Sequence, residues 1–266
     1  MSGVLFGAEA VPEAYQRHLV PALFVPWAAL LIDRAEVLEA AAVLDVASGT
    51  GVVALAALDR VGARGRVVSS DVSPAMLAFV AAAEPNIETL LAPADDLGVA
   101  GQFDVVLCQQ GLQFMSDPVA AVSSMQRALR PSGILALSVW ARGQVLEPFD
   151  VYGQVLEAEG LSEPFPGAYS YDFCRSPEEI VGVLEAAGLT EIDVTVETLE
   201  IHWPSIETVV SGIAGTPYGP PVAALPADRQ RQVAERLRER LRVSHPSVAV
   251  VGRGVVRQGE RHITFA

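Results

Sequence analysis

Val43-Leu44-Asp45-Val46-Ala47-Ser48-Gly49-Thr50-Gly51 is the stretch whose reading decides the fold. An apolar run containing a carboxylate passes directly into a glycine-punctuated turn, and Val52 to Arg60 continues at helical spacing. The stretch reads as strand, tight loop, helix. Glycine at 49 and 51 clears the loop of side chains, so backbone N–H groups and a helix N-terminus can approach a ligand closely. An ordinary strand-to-helix turn would look the same here, and the flanking sequence has to separate the two.

Downstream, Arg66 to Asp71 reads as a second strand ending in an acid, 20 residues after Gly51. In open α/β sheets a carboxylate there accepts hydrogen bonds from a ribose lying across the strand ends. Ser73 and Pro74 open a helix that runs to about Ala83. Residues 87–91 give a third strand and 92–101 a loop. Phe103 to Gln109 is almost continuously apolar, the pattern of a strand buried on both faces. Asp117-Pro118 starts a helix that Pro131 stops, and Ile134 to Trp140 is a fifth strand. This alternation predicts a doubly wound, mostly parallel α/β sheet.

The remaining segments are read as additions to that core. Residues 1–40 form a helical segment of a cap, with Pro12, Pro21 and Pro26 expected to break it into short helices. The core is placed at 41–143, a Pro- and aromatic-rich cap insertion at 144–175, a core helix and strand at 176–203, a second cap insertion at 204–245 and a strand region at 246–266. In that last region edge strands are expected at roughly 248–251 and 261–265.

Composition narrows the partners. Half of the 266 residues are hydrophobic and the formal net charge is −14, which argues against a polyanionic partner. Arginines 229, 231, 236, 238, 240 and 242 alternate with Glu235 and Glu239 as on a solvated, ion-paired helix face. The two cysteines, Cys108 and Cys174, have neither metal-ligand spacing nor disulfide density. With no leader-like or spanning stretch visible, the expectations are a cytoplasmic protein with no membrane or nucleic-acid partner and no metal. No oligomeric state follows from the sequence, a homodimer being one option.

Two ligands fit the loop. Gly49-Thr50-Gly51-Val52-Val53-Ala54 satisfies the dinucleotide fingerprint, with Asp71 as the ribose acid, so an NAD(P)-dependent oxidoreductase stays open. Asp45 points the other way. An anion beside a phosphate is unfavourable, whereas an anion beside a cationic amino group is favourable.

Taken together, the motifs resemble those of the class I S-adenosylmethionine-dependent methyltransferases, in particular the small-molecule enzymes with an unadorned core, over roughly residues 40–200. The resemblance implies a Rossmann-like sheet of seven strands and S-adenosyl-L-methionine as cofactor. Val43 to Gly51 looks like the cofactor loop, engaging Asp45, Ala47, Gly49, Thr50 and Gly51, although Ala47 stands where the first glycine is usual. Asp71 looks like the acid that holds the ribose hydroxyls, with Val72 and Met76 placed to pack on adenine. Gln109, Gln110 and Gln113 look like the active-site edge of the fourth strand. The loop after the third strand departs from the pattern. Pro93 replaces the acid that commonly reads the adenine amino group, Ala94 keeps the small residue, and Asp95 is a substitute candidate.

The implied reaction is methyl transfer from a sulfonium to a small, largely apolar organic acceptor, with a place in natural-product biosynthesis. Transfer demands positioning and water exclusion, and the protein need supply only a base. Candidate catalytic residues are Gln113, which orients without titrating, His202 beside Trp203, and Tyr15, whose competing reading with His18 is a packing edge. Three other readings stay open: a cyclase or pericyclase that binds the same cofactor, the oxidoreductase, and a non-catalytic binding protein.

Overall fold

The computed structural model describes residues 13–143, 147–161, 175–216 and 218–257. At its centre is β1, Ala42–Val46, with all five residues buried. β2, Arg66–Asp71, and β4, Phe103–Gln109, flank it in parallel, with Asp45 opposite Ser69 on one side and Leu107 on the other. β3, Glu88–Leu91, extends the sheet beyond β2, and β5, Leu129–Trp140, beyond β4. β6, Leu189–His202, forms the far edge, and β7, Ser244–Val256, runs antiparallel between β5 and β6. The seven-stranded order is β3-β2-β1-β4-β5-β7-β6.

The tail therefore differs from the sequence expectation. Residues 244–256 form one long interior strand rather than an edge, since buried Ala249, Val250 and Val251 have a neighbouring strand on both sides. The expected strand at 261–265 lies outside the described residues.

Alternate residues of the central strands serve opposite faces, as the pleat requires. Val43, Val105, Leu107 and Ala136 join one cluster, and Leu44, Val106, Cys108 and Leu135 the other. α1, Val25–Arg34, and α2, Val52–Val61, cover the first face. α4, Pro118–Ala128, covers the second, where α6, Pro177–Ala186, packs as well. Helix starts follow their sequence signals. Ser73 caps α3, Pro74–Ala83, Asp117 caps α4, and Ser176 with Glu179 forms a capping box on α6.

The N-terminal segment also departs from expectation. Pro21 and Pro26 do not break it. Tyr15–Phe24 is a π-helix that contains Pro21 and leads directly into α1, with Pro26 in that helix's first turn. Proline has no N–H to donate, and the wider i→i+5 register accommodates the gap. Pro12 lies outside the described residues.

The helices of the two insertions join the same apolar cluster as this segment. α5, Glu147–Ala158, contributes Phe149 and Tyr152; α7, Ile206–Ala214, contributes Val209 and Ile213; and α9, Ala227–Arg240, contributes Val233 and Leu237. α8, Gly219–Ala223, is a short link preceded by buried Tyr218. Three α9 arginines are ion-paired as expected, but across helices: Arg229 and Arg236 hold Glu159, and Arg238 lies 3.4 Å from Glu207. Arg240 donates a hydrogen bond to the Gln154 amide oxygen.

Gly215, just after α7, allows the π-helix to lie against it. A Cβ there would sit 2.4 Å from the Tyr15 backbone nitrogen. Since the backbone φ of −75° suits any residue, the obstacle in Gly215→Ala is purely steric. The substitution is expected to cost about 1–3 kcal/mol, seen in thermal melts as a fall of roughly 2–10 °C. An unchanged melting temperature would contradict this close approach.

Candidate functional site

The carboxyl ends of β1, β2, β4 and β5 share one edge of the sheet, where such folds bind their ligands. The loop leaving β1 is tightly wound, with Ala47, Gly49 and Gly51 all at positive φ, +55°, +54° and +80°. This explains why glycine is usual at 47: alanine there adopts a left-handed conformation that costs L-residues about 1–2 kcal/mol. At Gly51 space is also restrictive, because a Cβ would lie 2.8 Å from Val80 Cγ2. At Gly49 nothing lies within 4 Å of that position, so the loop faces open space there.

Two acids organise the loop. Asp45 is buried and its Oδ2 accepts the Ala54 N–H at 3.0 Å, in the first turn of α2. Burial pushes its pKa well above the usual carboxylate range, and the neighbouring Asp71 adds to the rise. Asp71, half-buried at the end of β2, accepts Gly49 N–H on Oδ2 and Ser73 N–H on Oδ1, both at 2.9 Å. Each oxygen retains a lone pair for a further donor. Beside it Val72 is 59% exposed, an apolar side chain on open surface next to the acid. Met76 is buried in the first turn of α3. Thr50 is buried within the loop.

The π-helix brings Tyr15 to the same edge. Its ring lies 6.1 Å from Phe24, and burial together with the Asp71 carboxylate drives the phenol pKa upward. Gln109 anchors this region, its Nε2 donating to Phe24 O at 3.0 Å while Oε1 stays buried without a partner. Ser138, opposite Gln109 on β5, has an unpartnered buried hydroxyl. Gln110, at φ +45°, is buried and neither of its amide atoms has a hydrogen-bond partner. Such orphans cost free energy in a folded chain and gather where a ligand can satisfy them. Sequence reasoning missed Ser138, because nothing local distinguishes it from an ordinary strand serine.

The other expected residues differ in their surroundings. Gln113 is buried and its Oε1 accepts the Trp140 N–H at 3.2 Å, so it braces the end of β5. His202 is exposed on the edge strand β6, separated from β4 by β5 and β7, a lateral distance of about 14 Å. Asp95 is exposed and Ala94 half-buried in the loop after β3. Among the described residues, no three His, Cys, Asp or Glu side chains gather as a metal site requires. Among the same residues, no helix is long and apolar enough to cross a membrane.

The geometry separates the two ligand readings. A dinucleotide phosphate would take the free N–H groups of the α2 N-terminus, yet Asp45 already occupies Ala54 N–H and sets a carboxyl group behind the loop. A cationic nucleoside fits: acids before and after the loop, open space over Gly49, and exposed Val72 beside Asp71. The fold and this edge define an α/β nucleoside-binding enzyme of the Rossmann-like methyltransferase type. Residues 43–133 match the family described as methyltransferase domain. The chain is similar to nocamycin O-methyltransferase of Saccharothrix syringae, 31% identical over 206 residues that span 70% of this chain and 72% of that one. It is also similar to the ubiquinone/menaquinone biosynthesis C-methyltransferase UbiE of Idiomarina loihiensis, at 30% identity over 63% of this chain and 73% of the relative. Among solved structures, the YcgJ protein of Bacillus subtilis superimposes with a TM-score of 0.57 at 20% identity, over 87% of this chain and 98% of that one. The chain belongs to the class I S-adenosylmethionine-dependent methyltransferases, and its activity is methyl transfer from that cofactor.

Proposed function

We propose that the methyl acceptor is a small, largely apolar organic molecule held between the carboxyl edge of the sheet and a cap. The cap would consist of the π-helix with α1 and of the insertion helices α5, α7 and α9. The observation that carries this reading is the single apolar cluster in which Leu19 and Leu23 of the π-helix meet Phe149, Tyr152, Ile213 and Leu237 of the insertion helices. Ligand pockets are apolar with few polar anchors, and such a layer over a polar edge supplies both. That one relative acts as a nocamycin O-methyltransferase supports an acceptor from natural-product biosynthesis. The net charge of −14 and the ion-paired α9 arginines weigh against a nucleic-acid acceptor, and a cytoplasmic setting fits the sparse cysteines.

When bound, S-adenosylmethionine supplies an electrophilic methyl group on a sulfonium centre. Gly49, Thr50 and Gly51 of the loop, with Ala47 at its start, would line the cofactor, and Asp71 would accept hydrogen bonds from the ribose hydroxyls. Val72, Met76 and Ala94 would pack around adenine, with the exposed Asp95 carboxylate next to Ala94. Asp45 would balance the α-ammonium charge. Tyr15 is the catalytic candidate that lies at the edge. With its pKa raised it keeps its proton, so it orients an acceptor oxygen by donating to it rather than acting as a base.

Asp45 provides a pH test. Its raised pKa means that part of the free protein carries a protonated carboxyl above the ordinary range, and a neighbouring ammonium lowers that pKa on binding. Binding therefore releases a proton, and affinity rises with pH until the free-state pKa of Asp45 is passed. Calorimetry in two buffers of different ionisation enthalpy should show this release for the wild type and its loss in Asp45→Asn; equal release by both proteins would contradict the role.

The acceptor class is tested with cofactor carrying an isotope-labelled methyl group, offered alongside a panel of small hydroxylated aromatics, bulk tRNA and unfolded protein. Label in a small molecule supports the proposal. Label in RNA or protein alone overturns it.

A further inference from the structure

β5 runs on past the end of β4, and one side chain occupies the space so left. Gln109 of β4 lies opposite Ser138, and the Gln110 N–H donates to Ser138 O at 2.8 Å, the last rung that the β4 backbone supplies. At Gln110 the chain turns through φ +45° and leaves the sheet. The next β5 N–H on that side, that of Trp140, needs another acceptor. Gln113 provides it: from the short 3-10 helix Leu112–Phe114 its Oε1 accepts the Trp140 N–H at 3.2 Å. The amide thus continues the ladder beyond the carboxyl end of β4, the edge at which such sheets hold their ligands. With Oε1 committed, Nε2 is the free arm of the fork, and it makes no hydrogen bond among the described residues. Gln113 is 5% exposed, yet this nitrogen is not sealed off as the Gln109 oxygen and the Gln110 amide are.

With adenine beside Val72 and Met76, the ribose on Asp71 and the ammonium at Asp45, the cofactor spans the ends of β2 and β1. The next strands in the sheet, β4 and then β5, are left for the acceptor. The turn that carries Gln113 also abuts the cofactor loop, since a Cβ on Gly111 would sit 2.7 Å from Ala47 Cβ. We propose that the Gln113 Nε2 amino group donates a hydrogen bond to a carbonyl oxygen of the methyl acceptor, which makes the acceptor a carbonyl-bearing molecule; this rests on the small-molecule reading and the cofactor site given above. An amide nitrogen donates and cannot accept, so its partner must offer a lone pair. The Trp140 bond holds the amide in place, and the donor is therefore set before the acceptor arrives. Discrimination follows, because a molecule without the carbonyl leaves a buried N–H unpaired. Gln113 moves no proton in this role; it orients the acceptor.

The test uses purified full-length protein saturated with S-adenosylhomocysteine. The probes are the ortho, meta and para hydroxyacetophenones, each matched to the ethylphenol in which a methylene replaces the carbonyl, and calorimetry gives their affinities. Wild type should bind at least one ketone about tenfold more tightly than its ethylphenol partner. Gln113→Met keeps the length of the side chain and removes both arms of the amide. It should melt lower, through loss of the Trp140 brace, and bind the members of that pair within about threefold of each other. Gln113→Glu keeps an oxygen for the Trp140 N–H; in alkaline buffer it should also lose the preference, and it serves if the Met variant does not fold. A glutamine that only braces β5 would leave the preference at its wild-type value in the folded variants, and that result overturns the proposal. Wild type without preference for any ketone overturns it too. So does a fall in S-adenosylhomocysteine affinity as large as the fall for the ketone, which would place Gln113 on the cofactor. Two other failures would remove the basis of the inference and are told apart from these: no binding of S-adenosylhomocysteine by wild type, and methyl label found in RNA or protein alone.

Discussion

Asp71→Ala is expected to weaken S-adenosylhomocysteine binding by about 30- to 1000-fold, or roughly 2–4 kcal/mol. Part of the loss is direct, since a carboxylate accepting ribose hydroxyls makes charge-assisted hydrogen bonds of about 1.5–3 kcal/mol. The rest is indirect. Asp71 also fixes the Gly49 and Ser73 N–H groups, and without it both the cofactor loop and the start of α3 lose an anchor. Asp71→Asn separates the contributions: one carbonyl oxygen still accepts, while the amino group cannot take the second N–H. The expected order of affinity is wild type, Asn, Ala. Calorimetric titration of the three proteins measures it, and an Ala variant with wild-type affinity would remove Asp71 from the site.

Gly51→Ala should strike stability harder than other single changes in the loop. The backbone at 51 is left-handed, which costs an L-residue about 1–2 kcal/mol. The added Cβ would also press on Val80 Cγ2 at 2.8 Å, within the core of α3, an overpacking of about 1–3 kcal/mol. A total of about 2–5 kcal/mol corresponds to a fall in melting temperature of roughly 5–15 °C. Gly49→Ala is the comparison, because its Cβ meets nothing within 4 Å and only the left-handed penalty applies. Gly51→Ala should therefore melt lower than Gly49→Ala; the reverse order would contradict the steric argument.

Much of this was legible in the sequence, and the reason is locality. Val43 to Gly51 announces a strand, a left-handed turn and a helix through residue types that each act within a few positions. Asp71 follows at a spacing set by one βα unit, and the caps at Ser73, Asp117 and Ser176 lie next to the helices that they start. What escaped depends on distant segments. The interior place of β7 is decided by β5 and β6 on either side, and residues 248–251 carry no mark of it. Pro21 reads as a breaker because proline usually is one, and only the wider π-helical register of Tyr15–Phe24 shows the helix continuing through it. The partners of the α9 arginines lie on other helices, so charge alternation along α9 indicated pairing but not with what. For the site, residue type sufficed to mark Asp45 and Asp71, whereas the unpaired state of Gln110 and Ser138 exists only once the fold surrounds them.

The position of β7 also sets an order of events during synthesis. β6 makes its ladder with β7 and none with β5, so the strand at 189–202 has no sheet neighbour until residues 244–256 have left the ribosome. Until then β5 presents an open edge, the kind of surface on which nascent chains aggregate. The cofactor edge is complete far earlier, because β1, β2, β4 and β5 all end by Trp140. In a pulse-labelled translation of chains stalled before residue 244, the amino-terminal strands should gain protease resistance while the segment carrying β6 stays cleavable.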